Sequence, residues 1–95
     1  MQAKPRLEWR AQAEDELLVI VEHISDDNPE AAQDLKDKIE DKAAKLPDHP
    51  KLYKPSPRVE GLREMVVTAN YIVLYRETPE LVEIINVLHA RQQFP

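Results

Sequence analysis

Hydrophobic positions change period along the chain, and each change marks an element. In residues 6–10, RLEWR, Leu7 and Trp9 alternate with charged neighbours, the period of two that a half-buried strand shows. From Ala11 the period lengthens. Ala13, Leu17, Ile20, Val21 and Ile24 recur at helical spacing, with Glu14, Asp15, Glu16 and Glu22 filling much of the remainder, which predicts an amphipathic helix ending near Ser25 to Asp27. The run Leu17-Leu18-Val19-Ile20-Val21 is apolar for more than a turn, so Leu18 and Val19 fall off the main stripe. They sit either at the edge of a broad core or against a partner. Asn28-Pro29 is a helix start, because the Asn side chain accepts from an orphan N–H and Pro at the first position has no donor to waste. Ala32, Leu35, Ile39, Ala43 and Leu46 mark the next buried face, and Pro47 closes that helix. Two helices joined by so few residues predict an antiparallel hairpin.

Residues 47–58, PDHPKLYKPSPR, hold four of the eight prolines and no glycine, the composition of a stiff, extended loop. Gly61 is the single glycine of the chain, which predicts a positive φ or a close approach at the entrance to a strand. Three β-branched and aromatic runs follow: Leu62–Thr68, Tyr71–Arg76 and Leu81–Leu88. Ala69-Asn70 predicts a tight hairpin with Asn in the left-handed region, and residues 77–80, ETPE, supply the next turn. The order is β-α-α-β-β-β: an α+β fold with a helical hairpin packed on a mainly antiparallel sheet.

Ninety-five residues allow one domain spanning 1–95, with 42% hydrophobic and 33% charged residues in the ordinary globular range. Without cysteine there is neither disulfide nor thiolate metal site, and a reducing compartment is the economical expectation. No apolar run approaches the roughly 20 residues of a membrane span, so a cytoplasmic protein without membrane contact is expected. The net charge of −5 is uneven: residues 1–50 hold 7 Lys/Arg against 13 Asp/Glu, and residues 51–95 hold 6 against 5. Such an acidic first half argues against broad or sequence-specific nucleic-acid binding by this chain alone.

Several stretches match one known pattern in order: Trp9, Ala13, Glu16 and Leu17 at the first helix, DNPEAA at Asp27 to Ala32, GLREMVV from Gly61, YIVLYR from Tyr71 and IINVLHARQQFP from Ile84. Together they cover nearly the whole chain. In these the sequence resembles the ParE branch of the RelE/ParE superfamily of bacterial toxins. The resemblance implies a toxin of a type II toxin–antitoxin pair, with a role in growth inhibition and plasmid stabilisation. It implies neutralisation by a cognate, ParD-like or related antitoxin with a flexible, largely helical segment, for which Leu18 and Val19 are candidate contacts. ParE-like members are understood to poison DNA gyrase. RelE-like relatives on the same fold cleave mRNA in the ribosomal A site.

A nuclease that uses a 2′-hydroxyl needs a proton acceptor, a proton donor and cations for the phosphate. His89, Arg91 and Arg63 are the candidates for those roles. The set is sparse, with no tyrosine in HARQQFP, which favours target binding over catalysis. For binding, Arg63, His89, Arg91 and Phe94 are the candidate anchors, since aromatic and arginine side chains dominate interfaces. His89 has a structural reading as a satisfied imidazole, and Arg63 one as the partner of Glu64, Glu83 or another sheet-surface acid. One glycine excludes a G-x-G-x-x-G phosphate loop, and the histidines lack metal-ligand spacing, so no cofactor or metal is expected.

Overall fold

The computed structural model describes residues 4–92. It contains β1 (Arg6–Trp9), α1 (Ala11–Asp27), α2 (Pro29–Ala44), β2 (Arg63–Val66), β3 (Tyr71–Glu77) and β4 (Leu81–His89). The expected order and α+β class hold. The four strands form one sheet in the order β1-β4-β3-β2, with β1 parallel to β4 and the other pairs antiparallel. The two helices lie on one face. Leu17 of α1 and Leu35 and Ile39 of α2 meet Met65, Val73, Tyr75, Val82, Ile84 and Val87 of the sheet, with Leu7 and Trp9 of β1 beside them.

The start of α2 follows its sequence signal: the Asn28 side chain accepts from the Ala31 N–H at 3.1 Å, with Pro29 in the first turn. Its end comes earlier than Pro47. From Lys45 onward the backbone tightens into i→i+3 turns, Lys45 to Lys42, Leu46 to Ala43 and Asp48 to Lys45; Pro47 has no N–H with which to continue the i→i−4 ladder to Ala43. Leu46 is nonetheless buried with the α2 face.

The β2–β3 hairpin differs from expectation in its chemistry. No residue other than Gly61 has a positive φ among the described residues, so Asn70 is not left-handed. Thr68 makes the turn instead: its hydroxyl accepts from the Asn70 and Tyr71 N–H groups at 3.1 and 3.2 Å, a side-chain stand-in for a turn carbonyl. β2 is accordingly shorter than Leu62–Thr68. Gly61, at φ +87°, takes the left-handed conformation expected of it.

A second core lies on the other face of the sheet, which the helical pattern did not foretell. Leu62, Ile72, Leu74, Ile85 and Leu88 cluster there with Val59, just past the proline-rich loop, and Ala90. That loop is held to the sheet by the Tyr75 hydroxyl donating to the Pro50 carbonyl at 2.8 Å, by Arg63 Nη1 donating to the Tyr53 carbonyl at 2.7 Å, and by the Glu64 N–H donating to the Lys54 carbonyl at 3.1 Å.

Strand β4 serves both cores through an irregularity. Leu74 pairs with Asn86 but Tyr75 with Ile84, so Ile85 is an extra residue in the ladder, a β-bulge. Val82 and Ile84 face the helices before it and Val87 after it, while Ile85 and Leu88 turn to the second core. β1 pairs with β4 only as far as Ile84, and beyond that point Glu16 of α1 takes over. Its carboxylate accepts from the Val87 N–H at 3.0 Å and from the Asn86 side-chain amide at 3.1 and 3.2 Å.

Two stability effects follow. Glu16→Ala leaves the Val87 and buried Asn86 donors without their acceptor and should cost about 1–3 kcal/mol in urea unfolding, with Glu16→Gln, which keeps one acceptor for Val87, costing less. Burial raises the Tyr75 phenol above its ordinary value of 10.0, so the folded state keeps a proton that the unfolded chain releases. That contribution is intact below about pH 10 and is lost as pH climbs through the raised value. Tyr75→Phe should therefore show a shallower fall in urea midpoint than the native chain as pH rises above about 10.

Candidate functional site

The C-terminal end of β4 carries the chemistry that sequence singled out. His89 is the last residue of the strand and stands opposite Tyr71. Their rings meet edge to face, with centroids 5.2 Å apart and planes at 73°. The Arg91 N–H donates to His89 Nδ1 at 3.1 Å, which fixes that nitrogen as an acceptor and leaves Nε2 to carry the proton of the neutral ring. A turn follows: the Gln92 N–H donates to the His89 carbonyl at 2.9 Å, and Gln92 Oε1 accepts from the His89 N–H at 3.3 Å. The half-exposed imidazole is thus oriented, and the Arg91 side chain beside it is exposed.

An anchor from the proline-rich loop holds this segment. Arg58 Nη1 donates to the Gln92 carbonyl at 3.2 Å while its Nε donates to Glu64 of β2 at 2.9 Å. The Ser56 hydroxyl donates to the same carboxylate oxygen at 2.7 Å and accepts from the Arg58 and Val59 N–H groups. One guanidinium therefore spans from the edge strand to the last turn of the described chain, the two-pronged task to which arginine is suited. Sequence reading missed this role: 34 residues separate Arg58 from Gln92, and no periodicity connects them.

Arg63, named with His89 and Arg91 as a candidate, lies elsewhere on the sheet. It pairs with Tyr75 across the β2–β3 ladder, whereas His89 pairs with Tyr71 across β3–β4. Four residues of β3 separate the two positions, about 13 Å along the strand, with two strand spacings across. Arg63 is also occupied: besides the Tyr53 carbonyl, it lies 3.6 Å from Glu77. Of the expected site residues, the fold brings His89 and Arg91 together and leaves Arg63 apart. Phe94 lies outside the described residues. Among the described residues no group of three or more His, Asp or Glu could hold a metal ion, and no helix is long and apolar enough to cross a membrane.

Leu18 and Val19 stand on the outside of α1 with 56% and 65% of their surfaces exposed, so they lie outside the core. A groove of about 350 Å³ adjoins Leu18, lined also by Trp9, Leu17, Val21 and the Lys36–Glu40 pair. A second, of about 490 Å³, adjoins Val19 and runs past Ile20 and Val87 to Gln92. The ridge of α1 thus separates two recesses, and one of them reaches the segment that carries His89 and Arg91.

The helical hairpin on a mixed four-stranded sheet has counterparts among known proteins. A family model described as the ParE toxin of the type II toxin–antitoxin system parDE matches residues 7–94. The candidate toxin Y4kP of Sinorhizobium fredii (strain NBRC 101917 / NGR234) is 33% identical over 94 residues, covering 98% of this chain and 96% of that protein. Among solved structures, a chain of the chromosomal ParDE toxin–antitoxin system from P. aeruginosa aligns with a TM-score of 0.78 at 19% identity, over 90% of this chain and 96% of its own. YafQ from E. coli aligns at 0.67 and 16%, over 92% and 94%. A chain of the RelBE2 toxin–antitoxin complex from Mycobacterium tuberculosis aligns at 0.64 and 20%, over 92% and 99%. These last three likenesses are of fold. The molecule is therefore a toxin of a type II toxin–antitoxin system. Within that class, the chain belongs to the ParE toxin family.

The anchor makes a direct expectation. Arg58→Ala should raise the hydrogen-exchange rate of the Gln92 amide roughly tenfold or more, the scale of losing a charge-assisted bond, while amides of β3 stay protected. Arg58→Lys should not restore it, because a single ammonium cannot replace both prongs of the fork.

Proposed function

We propose that this toxin acts by binding DNA gyrase and blocking its cycle rather than by cutting RNA, and that a cognate antitoxin neutralises it. The observation that carries the reading is the separation of the candidate catalytic groups. A nuclease site needs its acid, base and phosphate-holding cations around one reacting atom. Here Arg63 is engaged by the Tyr53 carbonyl and Glu77 at one end of β3, and His89 has Nδ1 occupied by a backbone N–H at the other. What the C-terminal end of β4 does offer is an oriented imidazole, an exposed Arg91 and, in sequence, Phe94. These are anchors for a protein surface. In this reading Arg63 contributes by holding the proline-rich loop rather than by touching the target.

Leu18 and Val19 suit the antitoxin. Exposed apolar residues beside two grooves give a helical partner a place to bury surface. The groove beside Val19 includes Gln92, so an antitoxin lying along it reaches the segment assigned to the target. Neutralisation then needs no conformational change: the antitoxin covers what gyrase would meet.

Purified toxin added to a gyrase supercoiling assay should trap broken DNA, and in a translating ribosome system with a defined mRNA it should leave the message whole. Cuts at A-site codons that vanish on replacing His89 would overturn the binding reading in favour of RelE-like cleavage. Deleting Gln92 to Pro95 should abolish growth arrest while the protein still folds and binds antitoxin; arrest undiminished in that truncation removes the C-terminal segment from the target surface. Leu18→Asp should weaken antitoxin affinity roughly tenfold or more in a calorimetric titration with little change in thermal midpoint, and unchanged affinity would take Leu18 out of that interface.

A further inference from the structure

The outward stripe of α1 has a charge pattern that its own fold does not use. Asp15 lies one turn before Leu18 and Val19, Glu22 one turn after them, and Asp26 a further turn on, all exposed. The helix, AQAEDELLVIVEHISDD, contains six carboxylates and neither lysine nor arginine. Among the described residues, Asp15, Glu22 and Asp26 enter none of the five ion pairs. The C-terminal end of a helix stabilises cations and disfavours anions, yet Glu22 and Asp26 occupy the last turns of α1 with no basic residue in the last turn to offset them. Asp27 has its own explanation, since it adjoins the N-terminus of α2 where a carboxylate is favourable. The nearest cation to the Leu18 groove, Lys36, is already paired with Glu40 at 3.0 Å.

We propose that this stripe receives a cationic amphipathic helix of the antitoxin, with apolar side chains on Leu18 and Val19 and Lys or Arg at flanking positions meeting Asp15, Glu22 and Asp26. The inference rests on the antitoxin reading of Leu18 and Val19 and adds the chemistry of the partner. An apolar pair alone accepts any greasy helix. Carboxylates one turn to either side select a positively flanked one and repel an acidic one, which is how charge complementarity contributes specificity and association rate. The partner's cations would also relieve the misplaced anions at the end of α1.

Trp9, the single tryptophan of the chain, lines the Leu18 groove and reports occupancy by its fluorescence. Stopped-flow association with the cognate antitoxin should slow roughly tenfold or more between about 50 mM and about 500 mM salt, as screening shortens the reach of the stripe. The triple variant Asp15→Asn, Glu22→Gln, Asp26→Asn should associate slowly at both salt concentrations, with a thermal midpoint equal to or above the native value. As a second probe, two synthetic amphipathic peptides would share one leucine stripe and differ only in having Lys or Glu at the flanking positions. Only the lysine peptide should shift the Leu18 and Val19 methyl signals. Salt-independent association, or equal binding of the two peptides, overturns the cationic partner while leaving an antitoxin contact at Leu18 standing. No complex at all between the native toxin and its antitoxin overturns the antitoxin reading and this inference with it.

Discussion

Past Ile84, strand β4 loses its parallel neighbour β1, and the carboxylate of Glu16 takes the place of the missing strand by accepting the Val87 N–H and the Asn86 amide. A central strand buried on both faces cannot leave such donors empty without losing about the worth of a hydrogen bond for each. The contact also ties the first helix to the last strand, 71 residues away in sequence. It sits immediately after the bulge at Ile85, where the strand changes which parity faces the helices. An unbroken alternation from Val82 and Ile84 would send Leu88 to the helix side and Val87 to the back. The extra residue sends Val87 to the helices and Leu88 to the second core instead.

The same junction sets the surface proposed for binding. With α1 fixed against β4 by Glu16, the outer side of the helix cannot turn inward, and Leu18 and Val19 are committed to solvent or a partner. The recess beside Val19 has Glu16 and Val87 in its lining, so the polar contact that closes the sheet edge also forms part of the proposed interface. At the other end of the same groove, Gln92 is gripped by Arg58, which is itself held by Glu64 on the edge strand. Helix, central strand, proline-rich loop and C-terminal turn thereby act as one support. An interface on such a support loses less entropy on binding than one on a loose tail.

Much of the architecture was legible because it follows from period. Trp9, Ala13 and Leu17 announce a strand giving way to a helix, Asn28-Pro29 a helix start, and Gly61 a positive φ; each is a local constraint with a local signature. What could not be read is non-local. In residues 84–88, IINVL, the polar Asn86 interrupts an apolar run without saying whether the ladder bulges. Thr68 and Asn70 compete as turn formers, and Thr68 prevails because its hydroxyl collects two N–H groups where Asn70 would need a strained backbone. Of the candidate site, the residue types were legible, through His89 and Arg91 at a strand end and surplus apolar residues on α1. Its layout was not, since the place of Arg63 relative to His89 depends on two strand registers that no short window contains.

Those registers bear on what the fold can do chemically. Arg63 and His89 lie on strands that flank β3 on opposite sides, four residues apart along it, and no rotamer change spans that offset. Bringing them together would need a slip along β3. An odd-numbered slip would turn the helix-facing residues of a strand outward, and an even one would break the pairing that buries Met65 against Val73. The separation is therefore built into the packing of the core rather than into loop positions that a ligand could shift. An arginine and a histidine at these two positions therefore cannot meet one reacting atom without undoing the pairing that forms the core.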